Sequence, residues 1–231
     1  MIIAVRKGKL EIVKLLVDKG AVPLADVKDL AGYSLTFLAA KNKHDDVLRY
    51  LFEKECGAKI TNHWSLLYIA AKRKEGDTVQ MLLINDHDVN EKGSIGETVL
   101  HCMAQEENVD FDIIKMLIKY ADTNAMDYKG YTALHYAVKA GSINFVKFLL
   151  KHHADVNIKC SEPILLCAIE SGNNNIIKLL LNTGANVTVQ NSFAKTVLHF
   201  AAKSKNSEIM RNLLTQDQKP EINAMGEVNA F

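Results

Sequence analysis

The sequence predicts an all-α fold built as a stack of helix-turn-helix units. Three observations predict it: a short motif that recurs, a leucine cluster that recurs with it, and a common spacing of about 33 residues. The motif is clearest as Thr132-Ala133-Leu134-His135. It returns as Thr98-Val99-Leu100-His101 and Thr196-Val197-Leu198-His199, with weaker copies starting at Ser34, Ser65 and Pro163. The leucine clusters are marked by Leu15, Leu51, Leu82, Leu117, Leu149, Leu180 and Leu213, which stand 36, 31, 35, 32, 31 and 33 residues apart, a mean of 33. Ser34, Ser65, Thr132, Pro163 and Thr196 each precede their leucine by 17 residues, and Thr98 precedes its leucine by 19.

The Thr132 unit justifies each element in turn. Ala133 to Ala140 is a short helix whose apolar face is Leu134, Ala137 and Val138, at helical spacing. Thr132 stands where a side-chain cap is favoured. Gly141 falls just past the end, where a left-handed residue reverses the chain. Ile143 to Lys151 is the second helix, expected to bury Val146, Leu149 and Leu150. The stretch from Asp155 to the next motif reads as a projecting β-turn finger. One such unit is too thin to bury its apolar faces, so neighbours must stack. Small residues at Ala39/Ala40, Ala70/Ala71, Ala137 and Ala201/Ala202 would let adjacent first helices approach closely.

A 33-residue period with Thr-x-Leu-His, a turn glycine and a closing Ala154-Asp155-Val156-Asn157 resembles the ankyrin repeat, from about Ile2 to Leu214. The resemblance implies an ankyrin-repeat solenoid of stacked helix-turn-helix units with β-turn or hairpin fingers. It implies a single domain over 1–231, with a partial repeat at 1–25, repeats at about 29–58, 60–90, 93–125, 127–157, 158–188 and 191–221, and the start of another at 222–231. The chain opens inside a second helix and closes on finger-like sequence, so a segment of a longer array is expected. The resemblance also implies that His101, His135 and His199 hydrogen-bond within and between fingers.

Composition narrows the function classes. A formal net charge of +1 lacks the basic excess of a nucleic-acid binder. No apolar run approaches the ~20 residues of a membrane helix. Cys56, Cys102, Cys160 and Cys167 form no C-x-x-C pair and read as small buried residues of a reduced, cytoplasmic or otherwise intracellular protein. The opening residues carry their charges after the apolar ones, the reverse of a secretory signal. No nucleotide-binding, metalloprotease or nucleophile-elbow motif occurs. The three motif histidines, each in a different repeat, fall at least about 10 Å apart if units stack at helix-packing distance, too far to share one metal ion. The expectation is therefore no enzyme, no cofactor and no metal.

What remains is binding. On a repeat scaffold the variable contact residues lie on finger tips and on the exposed edge of each first helix. Carrying the family's contact columns onto this sequence places large rings at Tyr33, Trp64, Tyr128, Tyr131 and Phe193, and cations at Lys41, Lys72, Arg73, Lys139 and Lys203. Tyrosine and tryptophan dominate binding hot spots. A mixed aromatic and basic groove suits a protein partner with acids and apolar anchors. The expected function is a monomeric, non-catalytic scaffold that holds a partner protein on its concave finger and inner-helix face. The alternative is the ankyrin array of a larger effector, toxin or channel. The Lys-, Asn- and Ile-rich composition is similar to ankyrin proteins of arthropod-associated intracellular bacteria, which would imply delivery into a host cell, and to spider latrotoxins. Finally, Leu82 with Asp88-Val89-Asn90 and Leu149 with Asp155-Val156-Asn157 resemble the pattern that animal asparaginyl hydroxylases modify, making Asn90 and Asn157 candidate hydroxylation sites.

Overall fold

The structure, a computed structural model, describes residues 1–20, 24, 27–54, 66–84, 88–160, 162–204, 206–215 and 220. Among these the chain forms fourteen helices: α1 (Ile2–Arg6), α2 (Leu10–Asp18), α3 (Leu35–Lys41), α4 (Asp45–Glu53), α5 (Leu66–Lys72), α6 (Gly76–Ile84), α7 (Val99–Met103), α8 (Phe111–Ile118), α9 (Ala133–Lys139), α10 (Ile143–Lys151), α11 (Ile164–Ser171), α12 (Asn174–Asn182), α13 (Val197–Lys203) and α14 (Ser207–Leu214). Isolated antiparallel bridges at Lys28–Ser34 and Gln190–Thr196 close the bases of two fingers. This is the all-α ankyrin solenoid that the period predicts.

The chain divides into two compact units. The first comprises residues 1–94 and 109–117. Here α1 packs on α2 and α3, α3 on α4 and α5, α5 on α6, and α2 on α4. The second comprises residues 95–108 and 118–231. Its inner helices run α7, α9, α11, α13, each packed on the next, while α10, α12 and α14 pack in series behind them.

The Thr132 repeat shows why these residues make these elements. In α9, Leu134, Ala137 and Val138 are buried, as the spacing predicts, and Ala133 is buried with them. In α10 the buried residues are Phe145, Val146 and Leu149, whereas Leu150 is only half-buried. The expected core position Leu150 is thus taken by Phe145 instead. Phe145 lies one position before Val146, and the helical turn swings it towards the core between the two helix layers, a placement that periodicity alone did not resolve.

The helix starts are reciprocal caps. The Thr132 backbone N–H lies 3.1 Å from His135 Nδ1 and its hydroxyl 2.9 Å from the same nitrogen. Thr98 with His101 repeats this at 3.0 and 2.9 Å, and Thr196 with His199 at 3.2 and 2.9 Å. The histidine thus satisfies a backbone donor that would otherwise lack a helical partner.

Finger tips are closed by an Asx side chain that the sequence reading missed. Asp127 Oδ1 accepts from the N–H of Lys129 (2.9 Å) and of Tyr131 (2.8 Å). Asp29 does the same for Ala31 and Tyr33, both at 2.9 Å, and Asn191 for Phe193 and Lys195, both at 3.0 Å. The signal was present: an Asp or Asn five residues before the Ser/Thr position is a turn former. The tip then needs a left-handed residue, held by Gly32, Gly96 and Gly130 but by Ala194 (φ +54°) in the last finger. Replacing Ala194 with glycine is expected to raise stability by about 0.5–1 kcal/mol, the Cβ strain relieved less the added freedom of the unfolded chain. Urea unfolding would read it, and a loss of stability would show that the alanine is unstrained.

Candidate functional site

In the first unit, four of the ten candidate contact residues come together. Tyr33, at the end of its finger, stacks on Phe37 of α3 with ring centroids 4.4 Å apart and planes within 8°. Lys41, four residues after Phe37 and so on the same edge of α3, holds its Nζ 4.8 Å from the Tyr33 ring centre and 5.8 Å from that of Phe37. On α5, Lys72 Nζ donates to Tyr68 Oη at 3.1 Å and lies 5.4 Å from its ring centre. These side chains, with Ile69 and Arg73, line an open cleft of about 410 Å³. Phe37, Tyr68 and Ile69 were not named from the sequence, because motif counting places them on the inner helices and gives no sign that they reach the groove.

Arg73 is turned back onto the protein. Its Nη2 donates to the Lys41 carbonyl, and its Nη1 lies 4.0 Å from Glu75 Oε1. Burial raises the Glu75 carboxyl above its ordinary range and Asp45 adds to this, against the opposing charge of Arg73. Trp64 lies outside the described residues.

The second unit repeats the tyrosine–lysine pair and closes it. Lys139 Nζ sits 3.9 Å from the Tyr131 ring centre. Glu162, from the following finger, accepts from Tyr131 Oη and, at 3.2 Å, from Lys139 Nζ. Tyr131 is half-buried. Its phenol is held above the usual range by the bond to Glu162 and by burial. Burial raises Glu162, but the bonds from Tyr131 and Lys139 outweigh it and hold the carboxyl below its ordinary value. The sequence reading counted Lys139 among five cations facing outward, but here its charge is matched within the protein.

Beneath this triad the fingers are tied to the inner helices. His101 Nε2 donates to Tyr131 O at 2.9 Å and His135 Nε2 to Glu162 O at 3.1 Å, the bonds between fingers that the resemblance implies. Because Nδ1 accepts the threonine N–H, each ring is neutral with its proton on Nε2. Burial pushes the His135 pKa down to about 4. Cys160 and Cys167 both direct their thiols to Glu162 O, at 3.2 and 3.9 Å. Burial raises both, Cys167 to about 12, so neither is an activated nucleophile. Cys102 is half-buried.

The remaining candidates are spread apart. Tyr128 is 72% exposed, yet its ring edge lies over the neighbouring finger: a Cβ added at Gly96 would fall 2.6 Å from Tyr128 Cδ1. Phe193 is 49% exposed beside the Asn191 turn, and Lys203 is exposed near the end of α13. Asn157 ties one turn to the next: its Nδ2 donates to Gly184 O at 2.9 Å and its Oδ1 accepts from Asn186 N–H at 2.8 Å. Asn124 uses the same Oδ1 bond to Asp155 N–H, at 2.8 Å. Neither Asn124 nor Asn157 adopts left-handed backbone. The positive-φ non-glycine residues described are Lys43, Lys74, His153 and Ala194. Asn90 is half-buried with its N–H on Asp88 Oδ1 at 2.8 Å.

Comparison with known proteins agrees with this architecture. A model of ankyrin repeats matches in three copies, over residues 1–63, 66–160 and 159–226. The chain belongs to the ankyrin-repeat family. Among its ankyrin relatives is a protein of fowlpox virus (strain NVSL), 34% identical over 158 residues, covering 65% of this chain and 46% of that protein. An ankyrin repeat protein of Acanthamoeba polyphaga mimivirus is 29% identical over 211 residues, 86% of this chain and 27% of the other. Delta-latroinsectotoxin-Lt1a of Latrodectus tredecimguttatus is 34% identical over 102 residues, 42% of this chain and 8% of the toxin. The chain thus spans less than half the length of each of these relatives. Ankyrin repeats generally mediate protein–protein interaction, and among the described residues no helix is long and apolar enough to cross a membrane.

Proposed function

We propose that this chain is a non-catalytic, intracellular interaction module that holds a partner protein on its finger and inner-helix face. The observation that carries the reading is the cleft of the first unit, where Tyr33, Phe37 and Tyr68 stand beside Lys41 and Lys72. Phe37 and Tyr68 are buried and form the floor of the cleft, whereas Tyr33 is partly exposed at its rim beside Lys41, and tyrosine is among the residue types that supply binding energy. Tyr128, Phe193 and Lys203 extend the same kind of surface in the second unit. Tyr131 and Lys139 act there through their closed triad, shaping the finger that presents them. Asn157, exposed at its turn, is the better placed of the two asparagines for hydroxylation.

A quantitative pull-down from eukaryotic lysate tests the reading, comparing the chain with a Tyr33→Ala/Lys41→Ala variant of matched thermal stability. At least a tenfold loss of a captured protein is expected. Capture of the same proteins in equal amounts by both would remove the first-unit face from the function. A second reading, the ankyrin segment of a larger effector or toxin, is supported by the similarity to delta-latroinsectotoxin-Lt1a. It predicts a transcript whose reading frame runs through additional domains, and a transcript encoding these residues alone would refute it.

A further inference from the structure

The two units carry the same tyrosine–lysine device in different states. Tyr33 with Lys41 and Tyr131 with Lys139 occupy matching positions, immediately before the motif and eight residues later. In the second unit the device holds a carboxylate. Glu162 Oε2 accepts from the phenol and the ammonium together, and Lys139 rests over the ring. Glu162 stands immediately before the next motif, at Pro163. The corresponding position of the first unit, before Ser65, is Trp64, so there the sequence offers no acid. Among the described residues no carboxylate lines the cleft around Tyr33 and Lys41, whose walls are Tyr33, Phe37, Tyr68 and Ile69 with Lys41, Lys72 and Arg73.

We infer that this cleft binds an acidic peptide segment of the partner. One of its carboxylates takes on Tyr33 and Lys41 the place that Glu162 takes on Tyr131 and Lys139, and an adjacent apolar side chain enters the cleft. The inference rests on the interaction-module reading and names its partner's chemistry. Three independent features agree. The second unit shows, with the protein's own atoms, that this pair binds a carboxylate. The cleft's volume of about 410 Å³ accommodates a large apolar side chain. Its charged lining is entirely cationic, so an acidic segment is favoured and a basic one repelled. Arg73 is held by the Lys41 carbonyl and opposed by Glu75 at 4.0 Å, so the charge argument rests on Lys41.

The test uses the whole chain, immobilised, and a random 12-residue peptide display library. Enriched peptides are then measured by fluorescence anisotropy against the wild type, Lys41→Gln, Lys41→Arg and Tyr68→Ala. Lys41→Gln alters an exposed side chain and leaves the carbonyl that Arg73 uses, so it is expected to fold. The enriched peptides are expected to carry Asp or Glu within two residues of Phe, Trp, Leu or Ile. Their Kd should rise at least tenfold with Lys41→Gln, recover with Lys41→Arg, and rise with salt. Peptides that depend on Tyr68 but are neither acidic nor sensitive to Lys41→Gln would overturn the acidic-partner inference and leave the interaction reading standing. Peptides indifferent to all three variants, or no enrichment at all, would overturn both.

Discussion

Replacing Phe145 with alanine is expected to lower the unfolding free energy by about 3–5 kcal/mol, the range for deleting a buried aromatic ring and leaving its cavity. Phe145 is fully buried in α10 and tilts against Phe148, with ring centroids 6.4 Å apart. α10 packs on both α9 and α12, so the cavity would open between layers that helices on two sides hold in place. For a domain of this length such a loss lowers Tm by about 10 °C. Phe148→Ala, at a half-buried position of the same helix, should cost less than half as much. Thermal and urea unfolding followed by circular dichroism would read both. A cost below about 1 kcal/mol for Phe145→Ala would show that the repeats collapse freely onto the vacated volume.

Acidification is expected to weaken the second unit through His135. His135 has a folded pKa of about 4, whereas an unfolded histidine titrates near 6.5. Between those values the unfolded chain binds more protons than the folded one. Stability is therefore present above about pH 6.5 and is lost as the pH falls towards 4. The loss should reach about 2 kcal/mol by pH 5 and about 3 kcal/mol in full. The structural cause is that both ring nitrogens are committed: Nδ1 accepts from Thr132 N–H and Nε2 donates to Glu162 O. A second proton would break the first bond and place a charge on a buried ring. Urea unfolding at pH 7 and pH 5 would measure it, with His135→Gln as the variant whose stability should change least over that interval. Equal pH dependence in the two proteins would assign the loss to other groups.

Much of the fold was legible in the sequence because ankyrin stacking is a local, periodic problem. The Thr132 motif, Gly141 and the leucine cluster each answer a demand set within a few residues: a cap, a reversal and an apolar stripe. The histidine's bonds are what the resemblance to the ankyrin repeat implies. Phe145 was missed because its burial depends on α9 and α12, which lie on either side of it. The finger-closing roles of Asp29, Asp127 and Asn191 lie outside the motif, at a turn five residues before it.

The candidate site was legible only as columns. Counting from the motif selected Tyr33, Lys41, Tyr131 and Lys139 as equivalent, and in sequence they are. The residue that separates them is Glu162, one repeat further along the chain, and only folding brings its carboxylate onto Tyr131 and Lys139. The sequence by itself determined the repeat, its helices and its caps, because these rest on contacts between near neighbours. Which tyrosine–lysine pair is closed by the protein's own acid, and which stands beside an open aromatic cleft, was decided by tertiary structure. Charge pairing and cleft volume depend on side chains about thirty residues apart meeting in space, and no local pattern records that meeting.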